Sequence, residues 1–312
     1  MRVTVVGAGQ MGSLYGAAAH ENGHEVRLVD ASQAIVDVIN DIGLTIDRRD
    51  GRRDVYRIPA MGQTSGDSGI DDLVLFMVKG WATRAAVQPV EKIVGETTAI
   101  LTLQNGLGNE ETLRELFPKN DVLIGLSVHT VTTLGVAHYE HTGVRDTYLG
   151  PARGDDLEVA RRAAAAFNGP DFPCHVLPER EIRREQWAKF VLNCGSLPSL
   201  ALTRLPTDAA KDQGDVVDLI DSLTRETCEI ARAEGIELDA DERVAFQHEL
   251  FRTAGGRASM LGDVLMKRRT EIDSINGAAI RFADRHGLAA PLNRAMYALV
   301  KGLEASFELE KA

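Results

Sequence analysis

The chain has 312 residues, with 46 Asp and Glu against 35 Lys and Arg, for a net charge of −11. Hydrophobic residues at 44% and charged residues at 26% are globular values and exclude a disordered, collagen-like or coiled-coil chain. The acidic balance argues against a nucleic acid or an anionic membrane as partner.

At roughly 150 residues per domain, the length suggests two domains. No run approaches the ~18 apolar residues of a membrane span, and the start lacks a signal-peptide pattern, so a soluble, cytoplasmic protein is expected. Cys174, Cys194 and Cys228 are an odd number without metal-type spacing, which fits a reducing compartment and predicts no metal site.

Residues 2–6 (Arg-Val-Thr-Val-Val) form a short β-branched run ending in Gly7, the signature of a buried parallel strand. A helix is predicted over 11–22 and a second strand over 24–29, closing at Asp30. Gly7-Ala-Gly9-Gln10-Met11-Gly12 therefore lies between a strand and a helix. In that context the glycines allow a tight turn, close approach of a pyrophosphate and helix–strand packing, while the helix N-terminus offers N–H groups to the phosphates. Asp30 stands 18 residues after Gly12. A carboxylate there accepts hydrogen bonds from the adenine-ribose hydroxyls and repels a 2′-phosphate, so NAD(H) is favoured over NADP(H). The plain alternative is an aspartate that starts a turn before Ala31-Ser32. Arg27 is a weak counter-argument, because strand alternation can aim it away from the site.

Residues 64–69 read as a polar loop. Further strands are predicted over 73–78, 99–103 and 122–128, with helices over 82–95 and 109–117, the rhythm of a doubly wound α/β sheet. Loops at strand C-terminal ends should face one crevice. Lys79 occupies one such end, beside Gly80 and Trp81, and Gln104-Asn105-Gly106-Leu107-Gly108 another. Lys79 either touches the cofactor or is simply solvated; Asn105 either does the same or makes an ordinary Asn-Gly turn. His129, His138 and His141 read as strand or loop residues.

After about residue 178 the period changes to 3.6, with helices over 179–193, 215–234, 240–253, 258–266, 270–286 and 294–307. The predicted architecture is a Rossmann-type dinucleotide-binding domain over 1–178 and an all-helical substrate and catalytic domain over 179–312. Trp187-Ala-Lys189-Phe-Val-Leu-Asn193 places Lys189 and Asn193 on one face of an apolar helix. Such a lysine either snorkels or donates a proton to a carbonyl oxygen as hydride arrives at carbon. Ser259-Met-Leu-Gly-Asp263 and Thr270-Glu271-Ile-Asp273 form the last cluster. On one continuous helix Ser259 and Glu271 would lie ~18 Å apart. Thr270 and Asp273 resemble a capping box, so a new helix is expected at Thr270 after a turn near 267–269, which would let both residues face one site. Ordinary capping and surface pairing remain the bland alternative.

Taken in order, the glycine motif, Lys79, Gln104-Asn105-Gly106-Leu107-Gly108, Lys189-x-x-x-Asn193, Ser259-Met-Leu-x-Asp263 and Thr270-Glu271-Ile-Asp273-x-Ile-Asn-Gly resemble the ketopantoate reductase (2-dehydropantoate 2-reductase) family, over residues 1 to about 300. The resemblance implies a 2-oxo acid bound between a Rossmann domain and a helical domain. It further implies Lys189 as general acid, Glu271 as its partner near the substrate, Ser259 as ligand of the substrate carboxylate and Asn193 as a substrate-hydroxyl contact. Lys79 and Asn105 would lie beside the cofactor and the reacting carbon.

Two departures stand out. Where the family usually has an arginine after the second strand to hold an NADP 2′-phosphate, this chain has Ala31 after Asp30. Where the family often has a second asparagine before proline, this chain has Leu197 before Pro198, and Gly256 stands where another asparagine is frequent. Leucine cannot pair a buried hydroxyl, whose loss costs about 1–3 kcal/mol, so a 2-oxo acid with a different or more apolar tail competes with ketopantoate. The leading expectation is thus an NAD(H)-dependent oxidoreductase of 2-oxo and 2-hydroxy acids. A 3-hydroxy-acid dehydrogenase of the hydroxyisobutyrate type and a non-catalytic NAD-binding regulator are the alternatives. The long helices of the second domain offer room for a homodimer face.

Overall fold

In the computed structural model, residues 1–65 and 68–309 are described, so positions 66 and 67 of the expected polar loop lie outside the described residues. Two compact units emerge: Met1–Gln104 with Asn109–Ile182, and Asn105–Gly108 with the chain from Arg183 onward.

The first unit is built on β1 (Arg2–Val6), α1 (Gln10–Glu21), β2 (Glu25–Val29), α2 (Gln33–Asp41), β3 (Leu44–Arg48), β4 (Arg53–Tyr56), β5 (Ala60–Met61) and β6 (Leu73–Phe76). It continues with β7 (Ala99–Thr102), α3 (Asn109–Leu116), β8 (Val122–Ser127), β9 (Thr130–Gly135), β10 (His138–Gly143), β11 (Thr147–Pro151), α4 (Glu158–Phe167) and β12 (Cys174–Val176). The main sheet has the order β12-β11-β8-β7-β6-β1-β2-β5. From β8 to β5 it is parallel, and β11 joins antiparallel to β8. The chain leaves β1 toward β2 and β5, then returns to the other side of β1 with β6. That reversal is the topological switch point, where open α/β sheets bind ligands.

Both faces of this sheet are covered, as a parallel sheet requires. Val3, Val5, Leu73, Leu75 and Leu101 face one apolar cluster, while Val6, Val74, Phe76 and Ile100 alternate into another.

Three features depart from the pattern reading. The helix expected over 82–95 is replaced by 3₁₀ segments at Gly80–Ala82 and Gln88–Ile93. Pro89 supplies no N–H to a continuing α-helix and instead sits in the first turn of the second segment. A second, four-stranded sheet, β4-β3-β10-β9, was not foreseen. Its β9 is exposed along most of its length, so it carries no hydrophobic alternation to read. Strands β11 and β12 likewise extend the main sheet beyond the expected set.

The second unit is helical: α5 (Glu179–Thr203), α6 (Gly214–Ala233), α7 (Ala240–Thr253), α8 (Ser259–Leu265), α9 (Asn276–Arg285) and α10 (Pro291–Leu309). Helix α5 runs well beyond 193 and continues through Pro198. The helix expected from Thr270 begins only at Asn276. The presumed capping box does not form, because Thr270 donates both its N–H and its hydroxyl to Glu304. The Asp273 carboxylate instead accepts from Arg269 and Tyr297. A turn does occur just before this segment, with Lys267 at φ 51°. No described helix is long and apolar enough to cross a membrane.

Candidate active site

Within the first unit, the glycine loop is shaped by backbone demands. Gly7 has φ 103°, and a Cβ there would lie 2.9 Å from the Val78 nitrogen. A Cβ on Gly12 would sit 1.8 Å from the Gly7 oxygen, so only glycine lets α1 start this close to the loop. A Cβ on Gly9 would meet nothing within 4 Å, which leaves an open face on the backbone. Gly9 is also the N-cap of α1, with no side-chain cap and no acidic residue in the first turn. The first N–H groups of α1 are thus presented to an anion without competition from a carboxylate.

The loop is braced on every side. Gly7 N–H donates to Val29 O at 2.7 Å. The Ala8 oxygen accepts from Ser13 Oγ and from Tyr139 Oη, each at 3.0 Å. Tyr139 lies on the unforeseen second sheet, which explains why the pattern reading missed its role. Asp30 accepts from Ala8 N–H at 2.7 Å and from Ser32 N–H at 2.8 Å, so it does start the turn and also grips the glycine loop. Its half-buried carboxylate is thereby held in a fixed orientation at the end of β2. Gln10 is exposed, and its amide donates to Val131 O at 3.1 Å; Met11 is half-buried against the core. Arg27 is committed elsewhere, in a buried ion pair with Asp71 at 2.6 Å.

Lys79 follows β6, half-buried, at the head of the first 3₁₀ segment. Gln104 holds that loop. Its amide nitrogen donates to Val78 O at 2.7 Å and to Thr83 Oγ1 at 2.8 Å, while its oxygen accepts from Thr102 at 2.9 Å.

Within the second unit, Lys189 Nζ donates to Asn105 Oδ1 at 3.1 Å across 84 residues of chain. Burial lowers the Lys189 pKa to about 8, against the opposing pull of the Glu271 carboxylate. Glu271 is itself buried. One turn along α5 from Lys189, Asn193 is half-buried. One turn further, Leu197 is buried in the apolar cluster that also holds Trp187, Phe190 and Leu107. Ser259 is the exposed first residue of α8.

The loop carrying Asn105 is pinned to the segment carrying Glu271. Leu107 N–H donates to Ser274 O at 3.0 Å, and Gly106, at φ 83°, comes so close that a Cβ would lie 2.1 Å from that same oxygen. The second unit thus brings together Lys189, Asn105 and Glu271: an amine, a neutral acceptor that holds it, and a carboxylate that favours its charged form. No group of three or more His, Cys, Asp or Glu suited to a metal occurs among the described residues.

The sequence profile of the family described as ketopantoate reductase PanE/ApbA matches residues 3–154, and its C-terminal counterpart matches residues 181–304. The 2-dehydropantoate 2-reductases of Pyrococcus horikoshii and Vibrio cholerae are each 30% identical to the chain, over 98% of it and 98% and 99% of their own lengths. Among solved structures, D-mandelate dehydrogenase with NADH and anilino(oxo)acetate matches with a TM-score of 0.92 at 25% identity, covering 99% of this chain and all of the other. A PanE/ApbA family ketopantoate reductase from Ralstonia eutropha JMP134 matches at 0.87 and 28% identity, over 99% of this chain and 100% of the other.

Proposed function

The chain belongs to the ketopantoate reductase family, oxidoreductases acting on CH–OH groups, and from that premise we propose that it interconverts a 2-oxo acid and its 2-hydroxy acid with NAD(H), on a substrate whose tail is more apolar than that of ketopantoate. The observation that carries the reading is the Lys189 ammonium held on Asn105 Oδ1 with Glu271 in its field. NAD(H), when bound, supplies or takes up a hydride at nicotinamide C4. In reduction, Lys189 donates its proton to the oxygen developing on C2; in oxidation, the neutral amine removes the hydroxyl proton. A pKa of about 8 keeps both forms accessible near neutral pH. Asn193 offers its amide, and Ser259 its hydroxyl, to the hydroxyl and carboxylate of the substrate. On this reading the first unit, close to the dinucleotide domain expected over 1–178, binds the dinucleotide, and the second, close to the domain expected over 179–312 but including Asn105–Gly108, binds substrate and moves the proton.

The residues present fit a dinucleotide: an open backbone at Gly9, an uncapped α1 N-terminus, and Lys79 at the next strand end. Three observations support NAD(H) over NADP(H). Asp30 is oriented at the ribose end of β2, Ala31 stands where an arginine would bind a 2′-phosphate, and Arg27 is neutralised by Asp71. The NADH bound to D-mandelate dehydrogenase accords with this preference. Leu197 supports the apolar tail, as does the aryl group of the anilino(oxo)acetate held by that same neighbour.

The test is kcat/KM for ketopantoate, phenylglyoxylate and 4-methyl-2-oxopentanoate with each cofactor. NADH and an apolar 2-oxo acid are expected to be preferred. A preference for NADPH overturns the cofactor assignment, and ketopantoate as best substrate overturns the tail assignment.

A further inference from the structure

Three chain segments carry the groups assigned to proton transfer: 105–108, α5 and 271–276. Their register is maintained at a defect in α5. Pro198 has no N–H, so the Cys194 carbonyl lacks the donor an uninterrupted helix would supply four residues on. That carbonyl accepts instead from Asn276 Nδ2, at 3.0 Å.

The same amide donates to Asn293 Oδ1 at 2.9 Å. Asn293 is in turn fixed by Glu226 Oε1 at 2.9 Å and Thr227 Oγ1 at 3.1 Å. Asn276 is fully buried, and among the described residues its Oδ1 has no hydrogen-bond partner. A buried amide with both donors paired and its acceptor orphaned is oriented by what it donates to. The acceptors here are the backbone of α5 and the anchor formed by Asn293.

The segment 271–276 is therefore a hub. It bears Glu271, holds the Asn105 loop through Ser274 O, and holds α5 through Asn276 at the residue directly after Asn193.

We propose that Asn276 is a positioning residue, which replaces the helical donor missing at Pro198 and so sets the Lys189–Asn193 face of α5 against Glu271. The inference rests on the reading of Lys189 as acid–base group. Asn276 acts only through the Cys194 carbonyl and touches neither reacting group.

The experiment is a double-mutant cycle of Asn276→Leu, which keeps volume and removes both donors, with Pro198→Ala, which restores the N–H that Cys194 O lacks. Turnover is read with NADH and phenylglyoxylate or ketopantoate, whichever the wild type reduces faster. Misplacement of a reacting group by about 1 Å can cost on the order of 100-fold, so N276L should lose about 10- to 100-fold in kcat with KM for NADH unchanged. Its alkaline limb should move to lower pH as Lys189 leaves the field of Glu271. P198A should stay near wild type, and the double variant should recover much of the loss.

Wild-type kcat and pH profile in N276L overturn the proposal, as does a double variant no better than N276L. If N276L does not fold by circular dichroism, Asn276→Ser takes its place in the cycle under the same criteria. Lys189→Ala is measured alongside. Turnover retained in K189A overturns the acid–base reading; turnover lost in K189A but unaffected in N276L overturns the positioning role alone.

Discussion

The glycine loop of the first unit and the lysine helix of the second build their sites by opposite means. In the loop the backbone is the proposed binding group. Gly7, Gly9 and Gly12 are needed for the side chains they lack, and the braces from Asp30, Ser13 and Tyr139 fix the conformation of main-chain atoms. In α5 the backbone is only a rail, and the proposed chemistry sits at the end of the Lys189 side chain, whose partners come from Asn105 and Glu271. A site made of backbone is announced by the local residues that permit its conformation, even where distant residues brace it, whereas a site made of side chains depends on what tertiary packing places around them.

The most severe test of that contrast is Lys189→Ala. Loss of a general acid costs about 10²- to 10⁴-fold in kcat, while NADH affinity, measured by fluorescence titration, should be unchanged. If NADH binding is lost as well, the separation of roles fails.

Gly12→Ala is the converse. The added Cβ would collide with the Gly7 oxygen at 1.8 Å, so the loop must shift and NADH affinity should fall by at least about tenfold. A titration matching wild type would show that the loop does not position the pyrophosphate.

The pH profile sharpens the lysine side. Reduction needs the ammonium, so kcat/KM for the 2-oxo acid should decline as pH rises through about 8; oxidation needs the amine and should rise through the same range. Glu271→Gln removes an attraction that raises the lysine pKa, so the limb should move to lower pH. An unmoved limb would detach Glu271 from Lys189.

The smallest expected effect is at Asp30. Asp30→Ala removes both the ribose acceptor and the brace on Ala8, and should reduce the NADH-to-NADPH ratio of kcat/KM by about tenfold, the scale of one hydrogen bond to a charged group. An unchanged ratio would leave Asp30 only its role in the turn.

Much of this was legible in the sequence, for reasons visible at individual residues. The β-branched run 2–6 ending in glycine could only be a buried strand closing on a tight turn, and β1 occupies those residues. Lys189 and Asn193 are four residues apart, which on any helix means one face. Local pattern failed where a distant residue competed. Thr270 and Asp273 have capping-box spacing, yet Glu304 takes the threonine and Tyr297 shares the aspartate, so α9 starts six residues later. The helix expected over 179–193 instead continues through Pro198 to Thr203, and the Cys194 carbonyl that Pro198 leaves without a helical donor accepts from Asn276, 82 residues beyond Cys194. Strand β9 had no apolar alternation to announce it, and with it went the sheet that places Tyr139 on the glycine loop.

By itself the sequence determined the buried strands of the main sheet, the glycine loop between strand and helix, and the lysine face, because each depends on φ, ψ preference and periodicity within a few neighbouring residues. Only the tertiary structure decided that Lys189 meets Asn105, that its proton is held with a pKa of about 8, and that a buried asparagine bridges the break in its helix. Those properties depend on burial and on contacts between residues far apart in the chain, and no local signature encodes either one.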